Sequence, residues 1–186
     1  MLFRALSFSL KAGEALRIAG PNGSGKTSLL RVLCGLLPPS QGEVRWHGTP
    51  IAPLREDFAT QLVYLGHAPA VKDELTAAEN LAIACRLTGT PADGVDSALA
   101  RFGLAANGAV AKRLSQGQRR RAALARLALS AARPLWLLDE PFSALDAQGV
   151  EVLTGLCQEQ LRRGGSLIYT THQDAGIGAQ RVIELG

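Results

Sequence analysis

Apolar residues along the chain fall into short blocks set apart by glycine, proline and polar turns. The segment Leu6–Leu10 reads as a strand leading into the turn Lys11-Ala12-Gly13-Glu14. Ala15–Ala19 is short, apolar and followed at once by glycine-rich sequence, the profile of a buried strand feeding a loop. After Lys26, the residues Leu29, Leu30, Leu33 and Leu37 keep helical spacing until Pro38-Pro39 stops them. Ser40-Gln41-Gly42 makes a turn, and Glu43–His47 alternates as one strand of a hairpin. From about Val71 to Arg113 the texture is helical. Thr76-Ala77-Ala78-Glu79 is a capping box that opens a helix to about Leu87. Gly89-Thr90-Pro91 breaks it and Val95–Phe102 resumes.

Ser115 then caps a long helix expected to run through Leu129, with Leu124, Leu127 and Ala128 on one face. Leu135-Trp136-Leu137-Leu138 is a fully apolar strand. A helix from about Ala147 ends at Gly164-Gly165, Ser166–Thr170 is another strand, and Arg181–Leu185 forms a last one. Strands alternating with helices imply an α/β fold with a mostly parallel sheet, ligands gathering at the carboxyl ends of its strands. Residues 1–186 read as a single domain with an antiparallel hairpin region. A helical subdomain is inserted over approximately 71–113.

Composition narrows the class. At 47% hydrophobic and 19% charged, the 186 residues can bury a sizeable core and are not disordered. No apolar run approaches the roughly 20 residues of a membrane helix, and Arg126 interrupts the stretch Ala122–Ala132. The start MLFRALSFSLKAGE lacks a basic region followed by an apolar block, so no signal peptide is expected. Cys34, Cys85 and Cys157 lie far apart and read as small buried side chains in a reducing compartment, with no metal-ligand spacing among them. A net charge of +4 decides nothing about partners by itself.

Three segments carry chemistry. Gly20-Pro21-Asn22-Gly23-Ser24-Gly25-Lys26-Thr27 fits GxxxxGK[ST] in full, between a strand and a helix. Its glycines let the backbone curl so that N–H groups point at phosphate oxygens, and the helix N-terminus adds its dipole. Lys26 neutralises the β and γ phosphates of a nucleotide, and the Thr27 hydroxyl can ligate Mg²⁺. Ser28, the next residue, belongs to the same binding set. The second segment, Leu135–Glu140, buries a strand and lets two carboxylates emerge at its end. Asp139 there can hold Mg²⁺, and Glu140 can polarise an attacking water as general base. The third is Leu114-Ser115-Gln116-Gly117-Gln118 at the start of a helix, where Ser115, Gly117 and Gln118 make a second anion site. One chain cannot easily fold both anion sites onto one nucleotide, so a head-to-tail homodimer is expected.

In this order the segments resemble the nucleotide-binding domains of ABC ATPases, P-loop NTPases that bind ATP and Mg²⁺. Gly20–Thr27 looks like the Walker A loop, Leu114–Gln118 like the LSGGQ signature and Leu135–Glu140 like Walker B. Ser143-Ala144-Leu145-Asp146 looks like the D-loop at the dimer seam. His172 looks like the switch histidine that contacts the γ-phosphate, which places it beside Glu140 as a catalytic residue. Tyr64-Leu65-Gly66-His67, Glu74-Leu75-Thr76, Leu114–Leu127, Leu135–Gln148 and Thr170–Gln173 are further similar to the haem-exporter ATP-binding subunits of bacterial cytochrome c maturation. That resemblance implies ATP hydrolysis coupled to integral membrane subunits from the cytoplasmic side of the inner membrane, any haem contact being made by those partners. Two departures stand out. His67 and Ala68 occupy the place where most ABC ATPases carry a glutamine. The aromatic that stacks on adenine belongs upstream of the residues at hand.

Another transporter, or an ABC ATPase acting on nucleic acid or ribosomes, is the alternative. Lys112, Arg113, Arg119, Arg120 and Arg121 form a positive cluster of the kind that binds phosphate backbones. No aromatic sits in it to stack bases, and no long coiled-coil insertion or tandem second domain is present. The arginines read as a solvated helix face or a docking surface, and no direct nucleic-acid contact is expected.

Overall fold

In the computed structural model, which describes residues 6–104, 108–172, 176–178 and 181–186, the apolar block Leu135–Leu138 lies inside a parallel sheet with all four side chains buried. The chain runs β1 (Ala15–Ala19), α1 (Lys26–Leu33), β2 (Arg45–Trp46), β3 (Thr49–Pro50), α2 (Arg55–Ala59), β4 (Leu62–Leu65), α3 (Ala77–Leu87) and α4 (Val95–Arg101). It continues through α5 (Gln116–Leu124), α6 (Arg126–Leu129), β5 (Leu135–Leu138), α7 (Ala147–Arg162), β6 (Ser166–Thr170) and β7 (Arg181–Glu184). Five strands pair in the order β4-β5-β6-β1-β7, every pair parallel, and β2 with β3 makes a separate antiparallel hairpin.

The two-residue period of β5 sorts its side chains between two cores. Leu135 and Leu137 join Leu16 and Ile18 of β1, Leu29 and Leu30 of α1 and Phe58 of α2 on one face. Trp136 and Leu138 join Leu153 and Leu156 of α7, and Leu124 and Leu127, on the other. A strand buried on both faces is apolar throughout because helices cover both sides of a parallel sheet. Trp136 is wholly buried, and its indole N–H reaches Ser130 O at 3.4 Å. The hairpin turns on His47 and Gly48, both with positive φ (49° and 80°), the conformation that two-residue hairpin loops require.

The Thr76 capping box read from the sequence is formed. Thr76 accepts from Glu79 N at 3.2 Å while the Glu79 carboxylate takes Thr76 N at 2.8 Å. Those bonds favour the charged form of Glu79 and hold its pKa below the ordinary carboxylate value. Ser115 and Gln118 repeat the arrangement at the start of α5.

The structure corrects four readings. Leu6–Leu10 is not a strand: Leu6, Phe8 and Leu10 are half-buried against the α1 side of the sheet, but no ladder partner faces them among the described residues. The segment is held instead by single bonds such as Arg181 Nη1 to Ser9 O at 2.6 Å. The hairpin strand is only Arg45–Trp46, shorter than Glu43–His47. The helix expected from Ser115 through Leu129 is interrupted at Ala125, where Ala128 N donates to Ala125 O (3.1 Å), a three-residue bond that tightens the turn between α5 and α6. Cys34 is half-buried, its thiol directed to Arg31 O at 3.4 Å, whereas Cys85 and Cys157 are fully buried.

Burial pushes the Cys157 thiol up to about 12 and raises Cys34 and Cys85 as well. Since the thiolate is the reactive form, a thiol reagent at pH 8 is expected to modify Cys34 first in the native protein. Cys85 and Cys157 should react only after denaturation. Mass-spectrometric mapping of labelled sites against time checks the order, and early labelling of Cys157 would contradict the burial.

Candidate active site

The carboxyl ends of β1, β6 and β5 lie side by side, and each delivers a different part of the site. From β1 the chain enters the glycine-rich loop. Gly20 has φ +143°, and a Cβ there would stand 2.3 Å from Leu185 O and 2.7 Å from Ser24 Oγ, so only glycine fits. Gly25, at φ +100°, turns the chain into α1. Lys26, the first residue of α1 and nearly buried, reaches back across the loop: its Nζ donates to Gly20 O (2.8 Å) and Pro21 O (3.1 Å). Ser24 Oγ is buried beneath the loop with no hydrogen-bond partner.

From β5 come the two carboxylates. Asp139 is 1% exposed; its Oδ2 accepts from Thr27 Oγ1 at 2.7 Å and its Oδ1 from Thr170 Oγ1 at 2.9 Å. Thr170 ends β6, the strand inserted between β1 and β5, and so links the two sides of the site. Its hydroxyl oxygen also accepts the Glu140 N–H at 2.7 Å. Glu140 stands at φ +46°, a left-handed conformation that costs a non-glycine residue about 1–2 kcal/mol. The surrounding bonds hold it there. Its carbonyl accepts from Ser143 N (3.1 Å) and from the Arg120 guanidinium (2.7 Å). The Glu140 carboxylate is mostly buried. His172 Nε2 lies 3.3 Å from its Oε1, close enough for an ion pair but not aligned as a hydrogen bond.

An open cavity of about 630 Å³ brings the predicted residues together. Asn22, Gly23, Gly25, Lys26, Thr27 and Ser28 form its floor, with Asp139, Glu140 and His172 across from them. Gly20, Pro21 and Ser24 shape the loop without lining the cavity. His67, at the place of the family's glutamine, and Ser143 complete the wall. Ser115, Gly117 and Gln118 are not part of this cavity. Ser115 Oγ is engaged by Gln118 N at 3.2 Å, and Gly117 sits against the Ser143-Ala144 turn, a Cβ on it falling 3.0 Å from Ala144 O. Gln173 lies outside the described residues.

The arginine run is the largest correction. It is not a solvated face. Arg119 pairs with Asp73 at 2.6 Å and Arg121 approaches Asp146 at 3.5 Å, while Arg120 is 3% exposed. Arg120 Nη1 donates to Gly66 O and His67 O, both at 3.0 Å, and Nη2 to Asp139 O (2.9 Å) and Glu140 O (2.7 Å). Burial lowers its pKa, and the Asp139 and Glu140 charges oppose that. Sequence reasoning missed Thr170 and Arg120. The β-branched end of β6 gave a weak hint of the first, and only the length of the charge run marked the second.

A model of the ABC transporter family matches residues 3–143. The cytochrome c biogenesis ATP-binding export protein CcmA of Aromatoleum aromaticum is 55% identical over 94% of this chain and 83% of its own length. The chain belongs to the ABC transporter family. The protein of the same name from Nitrosomonas europaea is 51% identical over 93% of this chain and 82% of its own. A dimeric ATP-binding cassette solved in a post-hydrolysis state with ADP and Pi superposes at TM-score 0.82, covering 96% of this chain and 83% of that one at 26% identity. As an ABC ATP-binding protein the chain is an ATPase, grouped by sequence with the cytochrome c biogenesis export proteins.

The phosphate loop of this ABC protein gives a graded prediction. Gly20→Ala must displace the loop from Leu185 O and is expected to weaken nucleotide binding by more than about tenfold. Gly23→Ala meets no atom within 4 Å and carries only the left-handed backbone cost, about 1–2 kcal/mol of folding stability, so its ATP affinity should fall less than that of Gly20→Ala. Titration of both variants with a fluorescent ATP analogue checks the ranking.

Proposed function

We propose that the chain is the ATP-hydrolysing subunit of a cytochrome c maturation transporter, working as a head-to-tail homodimer on integral membrane subunits. ATP hydrolysis then drives transport or release of haem, and the protein itself sits peripherally on the cytoplasmic side of the bacterial inner membrane. In this reading residues 1–186 form one nucleotide-binding domain, and approximately 71–113, with α3 and α4, its helical subdomain. The observation that carries the proposal is the chain of contacts from Thr27 through Asp139 and Thr170 to Glu140. It ties the phosphate loop to a carboxylate aimed into the same cavity.

The roles follow from chemistry. The loop from Gly20 to Ser28 binds the phosphates through the N–H groups of its non-proline residues and the α1 N-terminus, and Lys26 neutralises the β and γ oxygens. The oxygens of Thr27 and Asp139, 2.7 Å apart and both lining the cavity, suit a hydrated phosphate–cation pair. Thr27 Oγ1 and Asp139 would hold Mg²⁺, which neutralises phosphate charge when bound. Glu140 takes a proton from the water as its oxygen bonds to the γ-phosphorus and the bond to the β-phosphate oxygen breaks, giving ADP and phosphate. His172 holds the Glu140 carboxylate from the open side and contacts the γ-phosphate. Ser115, Gly117 and Gln118, outside the cavity of their own chain, face the γ-phosphate held by the partner protomer.

One observation favours transport over nucleic acid. Arg119, Arg120 and Arg121 are each engaged within the chain, which reduces the basic cluster to the exposed Lys112 and Arg113.

Glu140→Gln is expected to slow ATP hydrolysis by about 10²- to 10⁴-fold while ATP binding persists and a dimer accumulates by light scattering. Unchanged turnover would remove Glu140 as the base, and a monomer in saturating ATP would remove the dimer. Lys26→Ala is expected to abolish ATP binding in equilibrium titrations. Capture of Glu140→Gln from native membranes in ATP should recover integral membrane proteins that handle haem. A different permease would replace the cargo, and ribosomes without membrane protein would replace the reading.

A further inference from the structure

Arg120 is the one guanidinium among the described residues bonded to four backbone carbonyls at once. Those carbonyls come from two loops: Gly66 and His67 after β4, and Asp139 and Glu140 after β5. A planar fork can grip two pairs of acceptors in fixed geometry, which a lysine cannot reproduce. The acceptors are dipoles and not counter-ions, so the buried charge is spent on holding backbone. Its Nε is buried without a partner. Neither side of the clamp has slack: the Glu140 carbonyl is taken by Arg120 at 2.7 Å and the Glu140 N–H by Thr170 at 2.7 Å. The left-handed φ of Glu140 is set between them.

The same helix presents Ser115 and Gly117 at its N-terminus. Arg120 is five positions along from Ser115, about 7.5 Å of helix rise. A rigid turn of helix therefore joins the element proposed to meet the partner protomer's γ-phosphate to the backbone of the proposed base. We propose that Arg120 is a positioning residue that sets the Glu140 carboxylate in register with α5, so that seating of α5 on a nucleotide is transmitted to the base within the same chain. This rests on the reading of Ser115, Gly117 and Glu140 given under Proposed function. Arg120 touches neither substrate nor the reacting atoms.

The test is a kinetic double-mutant cycle on the purified full-length chain with Mg²⁺-ATP. Arg120→Lys keeps a cation but loses the fork. Thr170→Val removes the opposite side of the clamp while keeping the side-chain shape. A displacement near 1 Å at a reacting group costs on the order of 10²-fold in rate, so each single variant is expected to lower kcat by about 10- to 100-fold. For Arg120→Lys, KM and the ATP dissociation constant should stay within about twofold; Thr170→Val also removes the bond to Asp139 Oδ1, so its readout is kcat in the cycle and not affinity. Because both act on one peptide, the double variant should fall little below the worse single one. Arg120→Lys placed in the Glu140→Gln background should still form the ATP-dependent dimer.

Unchanged kcat in Arg120→Lys overturns the proposal, and so does a double variant whose losses multiply. Loss of ATP affinity in step with kcat also overturns it, because a merely structural arginine would act that way. If Arg120→Lys does not fold, Arg120→Gln, which keeps one donor arm but not the fork, decides by the same split between kcat and KM. A wild-type chain that binds ATP without hydrolysing it would overturn the underlying reading and this proposal with it. Normal wild-type turnover with an unaffected Arg120→Lys overturns this proposal alone.

Discussion

The site depends on one peptide unit, that of Glu140, held in a conformation its side chain does not favour. Its N–H is fixed by the last residue of β6 and its carbonyl by a guanidinium from α5. The first of these contacts follows from the parallel pairing of β5 and β6, whose register sets Leu138 opposite Tyr169 and so brings Thr170 alongside Asp139. The sheet therefore acts as a ruler. Hydrophobic burial on its two faces fixes strand positions, strand positions fix two hydroxyls and two carboxylates, and the strained backbone turns Glu140 into the cavity.

Polar groups in the site are shared and not duplicated. The Thr170 hydroxyl donates to Asp139 and accepts from Glu140, while Thr27 uses the other Asp139 oxygen. Such chains in a low-dielectric setting respond as a unit, since altering one member leaves its neighbours with unmet bonds. Two capping boxes show the same economy at the edges, each satisfying two helix-end groups with one pair of side chains.

Much of this was legible in the chain itself. The glycine-loop pattern, the apolar strand ending in Asp139-Glu140, the Thr76 capping box and the Ser115 cap are local signals, and each is found where local physics puts it. What escaped reading needed distant partners. Leu6–Leu10 has the burial pattern of a strand, but a strand also needs a neighbour with free hydrogen bonds, which side-chain pattern does not encode. The placement of β6 between β1 and β5 is a pairing choice across most of the sequence. Arg120 was illegible because a charge inside a charge run looks solvated, and only the four carbonyls folded around it show otherwise. The interruption at Ala125 carries no glycine or proline to announce it.

The three consecutive arginines fan out to three destinations: Asp73 before α3, the backbone of the loops after β4 and β5, and Asp146, whose other oxygen caps α7 at Gly149 N. Successive residues on a helix are rotated by about 100°, so this fan exists at one register only. Inserting or deleting a single residue between Ser115 and Arg119 would rotate all three arginines together by about 100° relative to Ser115, although composition and charge would hardly change. The first two turns of α5 are therefore constrained in length more tightly than in residue type, in contrast to surface loops, where added residues cost little.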